Sequence, residues 1–241
     1  MAPGRPIGRL GQFGFGSPTD MRCQTVFPFC GFLLEFFTFL AFGIGFGASN
    51  KGNPEENLKK YSCLVFSNTC NDIFDTEQQK KALVDYIHAG GSFVGIHSAS
   101  DSEKSWPWYT TMVGGKFKKH PAFQSFEIKV INKNHPSTAM LPEIWRKEDE
   151  CYYMNELNPN IQVLLAADLR TVKDAEKEVY PGRIFGDYFP LAWYHEFEGA
   201  RVFYTALGHD SKDYTDPVFI QHLTGGILWA LGENVIKKKN K

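Results

Sequence analysis

The sequence of 241 residues has no C-x-x-C pair and only five cysteines: Cys23, Cys30, Cys63, Cys70 and Cys151. That excludes a thiolate-built structural zinc site and a disulfide framework, and it leaves the redox compartment unfixed. Excess basic charge is also absent, with 26 Lys+Arg against 27 Asp+Glu. Without a positive field to attract phosphates, no nucleic-acid partner is expected. No internal repeat is present. Residues 1–50 contain no Lys and no His, yet they hold ten of the 21 Phe and nine of the 22 Gly. All seven histidines lie beyond residue 50, so the chain reads as two compositions joined end to end.

What is present is ordinary for a globular protein: 43% hydrophobic and 22% charged residues. The length fits one large domain with an appendage. Three parts are expected: an atypical Phe/Gly-rich segment over 1–57, a regular domain over 58–233 and a basic tail over 234–241. Within the first, Val26–Gly47 is 22 residues long with Glu35 as its one charge. Its length approaches a membrane span, but Glu35, Pro28 and four glycines interrupt it. A membrane contact is expected only if residues 26–47 are a true anchor. An exported leader and a gene-model error are the other readings of this segment, and the compartment stays open between cytoplasm and export.

From Tyr61 the pattern becomes regular. Ser62–Phe66 reads as a buried strand, and Asp75 or Thr76 can cap a helix that runs to about His88. Gly90-Gly91 ends that helix, and Ser92–Ile96 is a second strand. A right-handed parallel crossover follows from this order. Phe126–Ile131, Cys151–Met154, Ile161–Ala166, Leu191–Phe197 and Val202–Leu207 are further strand candidates, with a hairpin turn at Glu198-Gly199. Asp216-Pro217 opens a last amphipathic helix. The expected fold is a three-layer α/β sandwich of flavodoxin-like type, mostly parallel with an antiparallel extension.

Chemistry is expected at strand ends. Gly95-Ile96-His97-Ser98-Ala99 has the small-x-polar-x-small form of a nucleophile elbow, with His97 at its tip. An imidazole there suits a general base, a proton shuttle or a metal ligand. Asp101 can orient that ring, bind a substrate hydroxyl or cap the next segment. Trp106 and Trp108 can form a stacking floor for a sugar, or can be core. His120 follows the Lys116–Lys119 run near the surface. Glu150 ends the acidic triplet Glu148-Asp149-Glu150 and can enter a cleft while its neighbours face away. Gly208-His209-Asp210 places an imidazole and a carboxylate after another strand. His135, in a turn, and His195, within a strand, read as structural, and Cys63 as a small buried hydrophobe.

These motifs, with WPWY, VGGKFKKHP, DECYY, RVFYTALGHD and GGILWALG, resemble the ThuA-like domain over about Leu58–Gly232. That family is named for trehalose utilisation and has a class I glutamine-amidotransferase-like fold. The resemblance implies a role in carbohydrate metabolism, on trehalose or a related glycoside or keto-sugar. Amidotransferases carry a nucleophilic Cys at the elbow; His97 stands there instead, which excludes thioester chemistry on glutamine. The expected catalytic residues are His97, Asp101, Glu150 and His209. The expected substrate-binding residues are Trp106, Trp108, His120 and Asp210. A divalent metal such as zinc is compatible with these donors, though spacing alone assigns none. The partner is a small carbohydrate, and assembly into a homo-oligomer is left open. A non-catalytic carbohydrate-binding domain is the alternative reading. One departure stands out: the strand and F-x-H loop that usually open such domains have no counterpart in residues 1–57.

Overall fold

The computed structural model describes residues 41–42 and 58–232. The apolar segment 26–47, apart from residues 41–42, and the basic tail 234–241 lie outside the described residues. Strand β2 (Cys63–Ser67) is an apolar, buried run. Helix α1 (Glu77–His88) starts at a reciprocal cap. Thr76 Oγ1 accepts from the Gln79 amide at 3.3 Å, and Gln79 Oε1 accepts from the Thr76 amide at 3.0 Å. Strand β3 (Ser92–Ile96) is buried throughout and pairs parallel with β2. A two-residue strand β1 (Ala41–Phe42) lies parallel to Leu64 and Val65 at that edge, where the sequence suggests no strand.

The rest of the chain adds α2 (Pro107–Val113), β4 (Lys116–Lys119), β5 (Gln124–Val130), β6 (Ile144–Asp149) and β7 (Tyr153–Asn155). It continues with β8 (Gln162–Asp168), β9 (Tyr188–Phe197), β10 (Ala200–Thr205) and α3 (Pro217–Leu231). The main sheet has the order β1-β2-β3-β10-β9-β8-β5-β6, with a small antiparallel β4-β7 pair beside it. Its parallel part runs through β1, β2, β3 and β10. The expected antiparallel extension runs from β10 to β6. The β9–β10 turn has left-handed backbone at Glu198 (φ 47°) and Gly199 (φ 90°), which matches the twist of a hairpin.

Alternation along β10 sends neighbouring side chains to opposite layers. Phe203 faces α3, where a methyl group on Gly226 would meet its ring at 2.4 Å. Tyr204 faces the other way and packs on Trp193 at 4.5 Å. On that side Trp193 donates to the Val113 carbonyl of α2 at 2.9 Å. Helices therefore cover both faces of the sheet, and the buried apolar residues form one contiguous core. His195 is structural as expected, buried with Nε2 2.8 Å from the Met112 carbonyl. His135 is buried against Tyr194. Cys63 is buried, and burial pushes its thiol up to about 12. Among the described residues, no helix is long and apolar enough to cross a membrane.

Two features of α3 give testable expectations. A methyl group on Gly225 would sit 2.3 Å from the Pro136 carbonyl oxygen, a backbone atom that cannot swing aside. Gly225→Ala should therefore cost about 1–3 kcal/mol, read from urea unfolding, despite alanine's better helix propensity. His222 is fully buried between the Ser137 carbonyl and the Thr205 hydroxyl, and burial lowers its ring to about 4. Unfolded histidine titrates near 6.5, so the unfolded chain takes up a proton first as the pH falls. Stability should be fully present above pH ~6.5 and should decline by up to about 3 kcal/mol as pH drops towards 4. His222→Gln should reduce that slope in unfolding curves measured across the same window, leaving the share of buried His135 and His195, which burial also lowers.

Candidate functional site

Parallel pairing of β3 with β10 sets Gly95 beside Tyr204 and Ile96 beside Thr205, so the two chains leave the sheet together at its carboxyl edge. The first turns at once. His97 has φ 53°, a left-handed conformation that strains a residue with a Cβ, and opens a single 3₁₀ turn, His97–Asp101. Tyr204 holds the turn by donating to the His97 carbonyl at 2.7 Å, and its hydroxyl also meets Ser100 Oγ at 2.8 Å. Gly95 is required beneath it, since a methyl group there would lie 2.9 Å from the Tyr204 ring. This is the tight elbow expected of GIHSA.

The His97 ring is 3% exposed, and Nδ1 lies 2.8 Å from the Ala206 carbonyl of the adjoining chain. A carbonyl can only accept, so Nδ1 carries the proton of this contact and Nε2 faces the cluster. Around Nε2 stand the Tyr152 hydroxyl at 2.8 Å, His209 Nδ1 at 3.2 Å and Glu150 Oε2 at 3.4 Å. Glu150 Oε2 also lies 3.4 Å from His209 Nδ1 and 3.5 Å from His120 Nε2. Burial acts to raise the Glu150 carboxyl, but His97, His120 and His209 together hold it below the usual carboxylate range. It stays ionised at neutral pH.

The scaffold under the cluster is a second carboxylate. Asp149, fully buried, accepts from the Glu150 amide at 2.9 Å, the Gly208 amide at 2.9 Å and the His209 amide at 3.4 Å. It thereby fixes the backbone of both segments that meet His97. Lys147, two residues earlier on the same face of β6, lies 3.5 Å from Asp149 and pairs with the buried Asp213. Gly208 has φ 109°, and a methyl group on it would meet Phe219 at 2.9 Å, so this loop position needs glycine. The outer wall is aromatic: Phe117 packs on Tyr152 at 4.3 Å, and exposed Phe123 approaches the His209 ring at 5.8 Å.

Four of the expected residues therefore meet: His97, Glu150, His209 and, on the far side of Glu150, His120. The other four go elsewhere. Asp101 pairs with Lys104 at 2.6 Å, and the orienting contact expected of it is made by the Ala206 carbonyl. Asp210 caps the 3₁₀ turn Ser211–Thr215 through the Lys212 amide at 3.0 Å. Trp106 and Trp108 stack on each other at 5.1 Å, but Trp108 donates to Glu198 at the β9–β10 turn, the opposite end of β10 from Ala206. Helix α2 turns the pair away from the elbow, so they form no floor beside His97. A cavity of about 580 Å³ at the start of β3, lined in part by Tyr61, Tyr86, Ser92 and Leu231, also lies away from the cluster. Tyr152, Asp149 and Phe123 are the site residues that sequence reasoning did not single out.

The family model described as ThuA, trehalose utilisation, matches residues 44–230. The chain belongs to the ThuA family. The crystal structure of a ThuA-like protein from Bacteroides uniformis ATCC 8492 is similar at TM-score 0.58 and 25% identity, over 75% of this chain and 74% of that one. A ThuA-like protein from Parabacteroides merdae ATCC 43184 shares the fold at TM-score 0.58 and 20% identity, over 72% of this chain and 71% of that one. No curated protein matches the chain. In this ThuA-family chain Asp149→Ala should be severe, because it strips the acceptor from two short amide bonds and removes one of the two carboxylates beside buried Lys147. A loss of about 3–5 kcal/mol in urea unfolding is expected, against less than about 0.5 kcal/mol for exposed Glu148→Ala.

Proposed function

We propose that this ThuA-family protein acts on a small carbohydrate, trehalose or a related glycoside or keto-sugar, by acid–base chemistry at the His97 cluster. One observation carries the reading: a buried imidazole with a fixed tautomer, an ionised carboxylate, a second imidazole and a phenol converge at the carboxyl edge of the sheet. Open α/β sheets bind ligands at that edge. In this reading His97 Nε2 takes a proton from a sugar group. Glu150, kept ionised, stabilises the resulting imidazolium, and half-exposed His209 exchanges protons with solvent. Phe123, exposed beside His209, supplies the apolar face for a pyranose ring in place of the two tryptophans.

A second reading, a carbohydrate-binding domain without turnover, is favoured by one contact: the Tyr152 hydroxyl already occupies the lone pair of His97 Nε2 at 2.8 Å. Disaccharides and their 3-keto forms, assayed for turnover and titrated by calorimetry, separate the two. Catalysis predicts that His97→Ala and His209→Ala each lower turnover by about 10²–10⁴-fold. Unchanged turnover in both variants sinks the acid–base reading, and sugar binding without turnover in the unmutated chain favours the second. Phe123→Ala should weaken sugar binding about ten-fold while Trp108→Ala leaves it unchanged; the reverse result would return the stacking role to Trp108.

A further inference from the structure

We propose that His97 Nε2, Glu150 Oε2 and His209 Nδ1 form a three-donor site for one divalent cation of the zinc class. This rests on the proposed carbohydrate substrate but not on its proton transfer: a cation at this cluster takes the His97 Nε2 lone pair that the acid–base reading uses, and the binding itself does not depend on turnover. Among the described residues these three present donor atoms that all lie within 4.8 Å of one another.

The distances decide between a proton and a metal at the centre. A charge-assisted N–H···O bond between imidazolium and carboxylate spans about 2.7–2.9 Å. Both imidazole–carboxylate distances are 3.4 Å, too long for that, and the imidazole–imidazole distance is 3.2 Å. A tetrahedral ion with bonds of roughly 2.0–2.1 Å has ligand–ligand edges of about 3.3 Å. The triangle of 3.2, 3.4 and 3.4 Å is one face of such a tetrahedron.

The donors are also prepared electronically. His97 gives its Nδ1 proton to the Ala206 carbonyl, the outer-shell bond that fixes a metal-ligating imidazole and turns Nε2 to the cluster, where a bound ion would displace the Tyr152 hydroxyl 2.8 Å away. Asp149 pins the amides of Glu150 and His209 from behind. Two imidazoles and one carboxylate suit zinc and its borderline neighbours, whereas magnesium and calcium demand mostly oxygen ligands. Three protein donors leave a fourth position, on the side where His209 and Phe123 are exposed. Three ligands with an open position are the pattern of a catalytic rather than a structural zinc site.

The test uses the full chain, stripped with a chelator and titrated with Zn²⁺ against a chromogenic competitor. The expected result is one zinc per chain, unaffected by excess Mg²⁺, with Co²⁺ giving the intense visible bands of a four-coordinate ion. His209→Ala, half-exposed and outside the packed core, should keep the native circular dichroism yet lose zinc affinity by about ten-fold or more. Glu150→Gln should do the same. Failure to bind a stoichiometric zinc, or unaltered affinity in folded His209→Ala, would overturn the site. Sugar turnover by the metal-free chain without zinc binding would sink this proposal and leave the acid–base reading standing. Zinc binding without turnover would do the reverse.

Discussion

One hydrogen bond holds the candidate site together: the 2.8 Å contact from His97 Nδ1 to the Ala206 carbonyl. It joins the ends of two parallel neighbours, β3 and β10, just past the last residues of their pairing. Because the acceptor is a backbone carbonyl, the imidazole has no freedom of tautomer. Everything gathered around Nε2 follows from that single assignment. The strained backbone at His97 is tolerable because Tyr204, itself buried, ties the same turn from below. Elbow, tautomer and cluster are three aspects of one strand pairing.

Much of the fold was legible because its parallel half is written in apolar runs. SCLVF and SFVGI could be read as buried strands, and the cap at Thr76 and the glycines after His88 bounded the helix between them. Strand β6 was not legible, for a physical reason. Its inward positions are Trp145, Lys147 and Asp149, so the core-facing side of the strand is charged and the hydrophobic alternation disappears. Strand β4, KFKK, hides in the same way among lysines. The site divides along the same line. His97 and His209 were legible because each follows an apolar strand directly. Asp149 and Tyr152 were not, because a buried acid inside an acidic triplet looks like a solvated edge. The sequence leaves the tryptophans open between a sugar floor and core, because nearness to a polar loop along the chain does not fix nearness in space; at the start of α2 they pack on Phe74 and Phe197, towards the far end of the sheet.

The elbow also shows that one turn geometry can present different side chains. The sharp turn, the glycine two residues before its tip and the small residue two after are what a covalent nucleophile requires, and all are present here. An imidazole at the tip cannot form a thioester, yet the same placement gives it low solvent exposure, a backbone acceptor behind it and polar partners in front. Membership of the ThuA family establishes the fold; His97, Glu150, His209 and Tyr152 are the polar groups that this chain gathers at the elbow.

The cluster is assembled from positions far apart along the chain. Tyr152 is 55 residues from His97, and His209 is 112 residues from it. Loop closure over such separations is entropically expensive and contributes nothing until the intervening strands have docked. The ring nitrogens therefore come within reach of one another only when the strands that carry them have docked. Integrity of the entire domain becomes the condition for any chemistry at all.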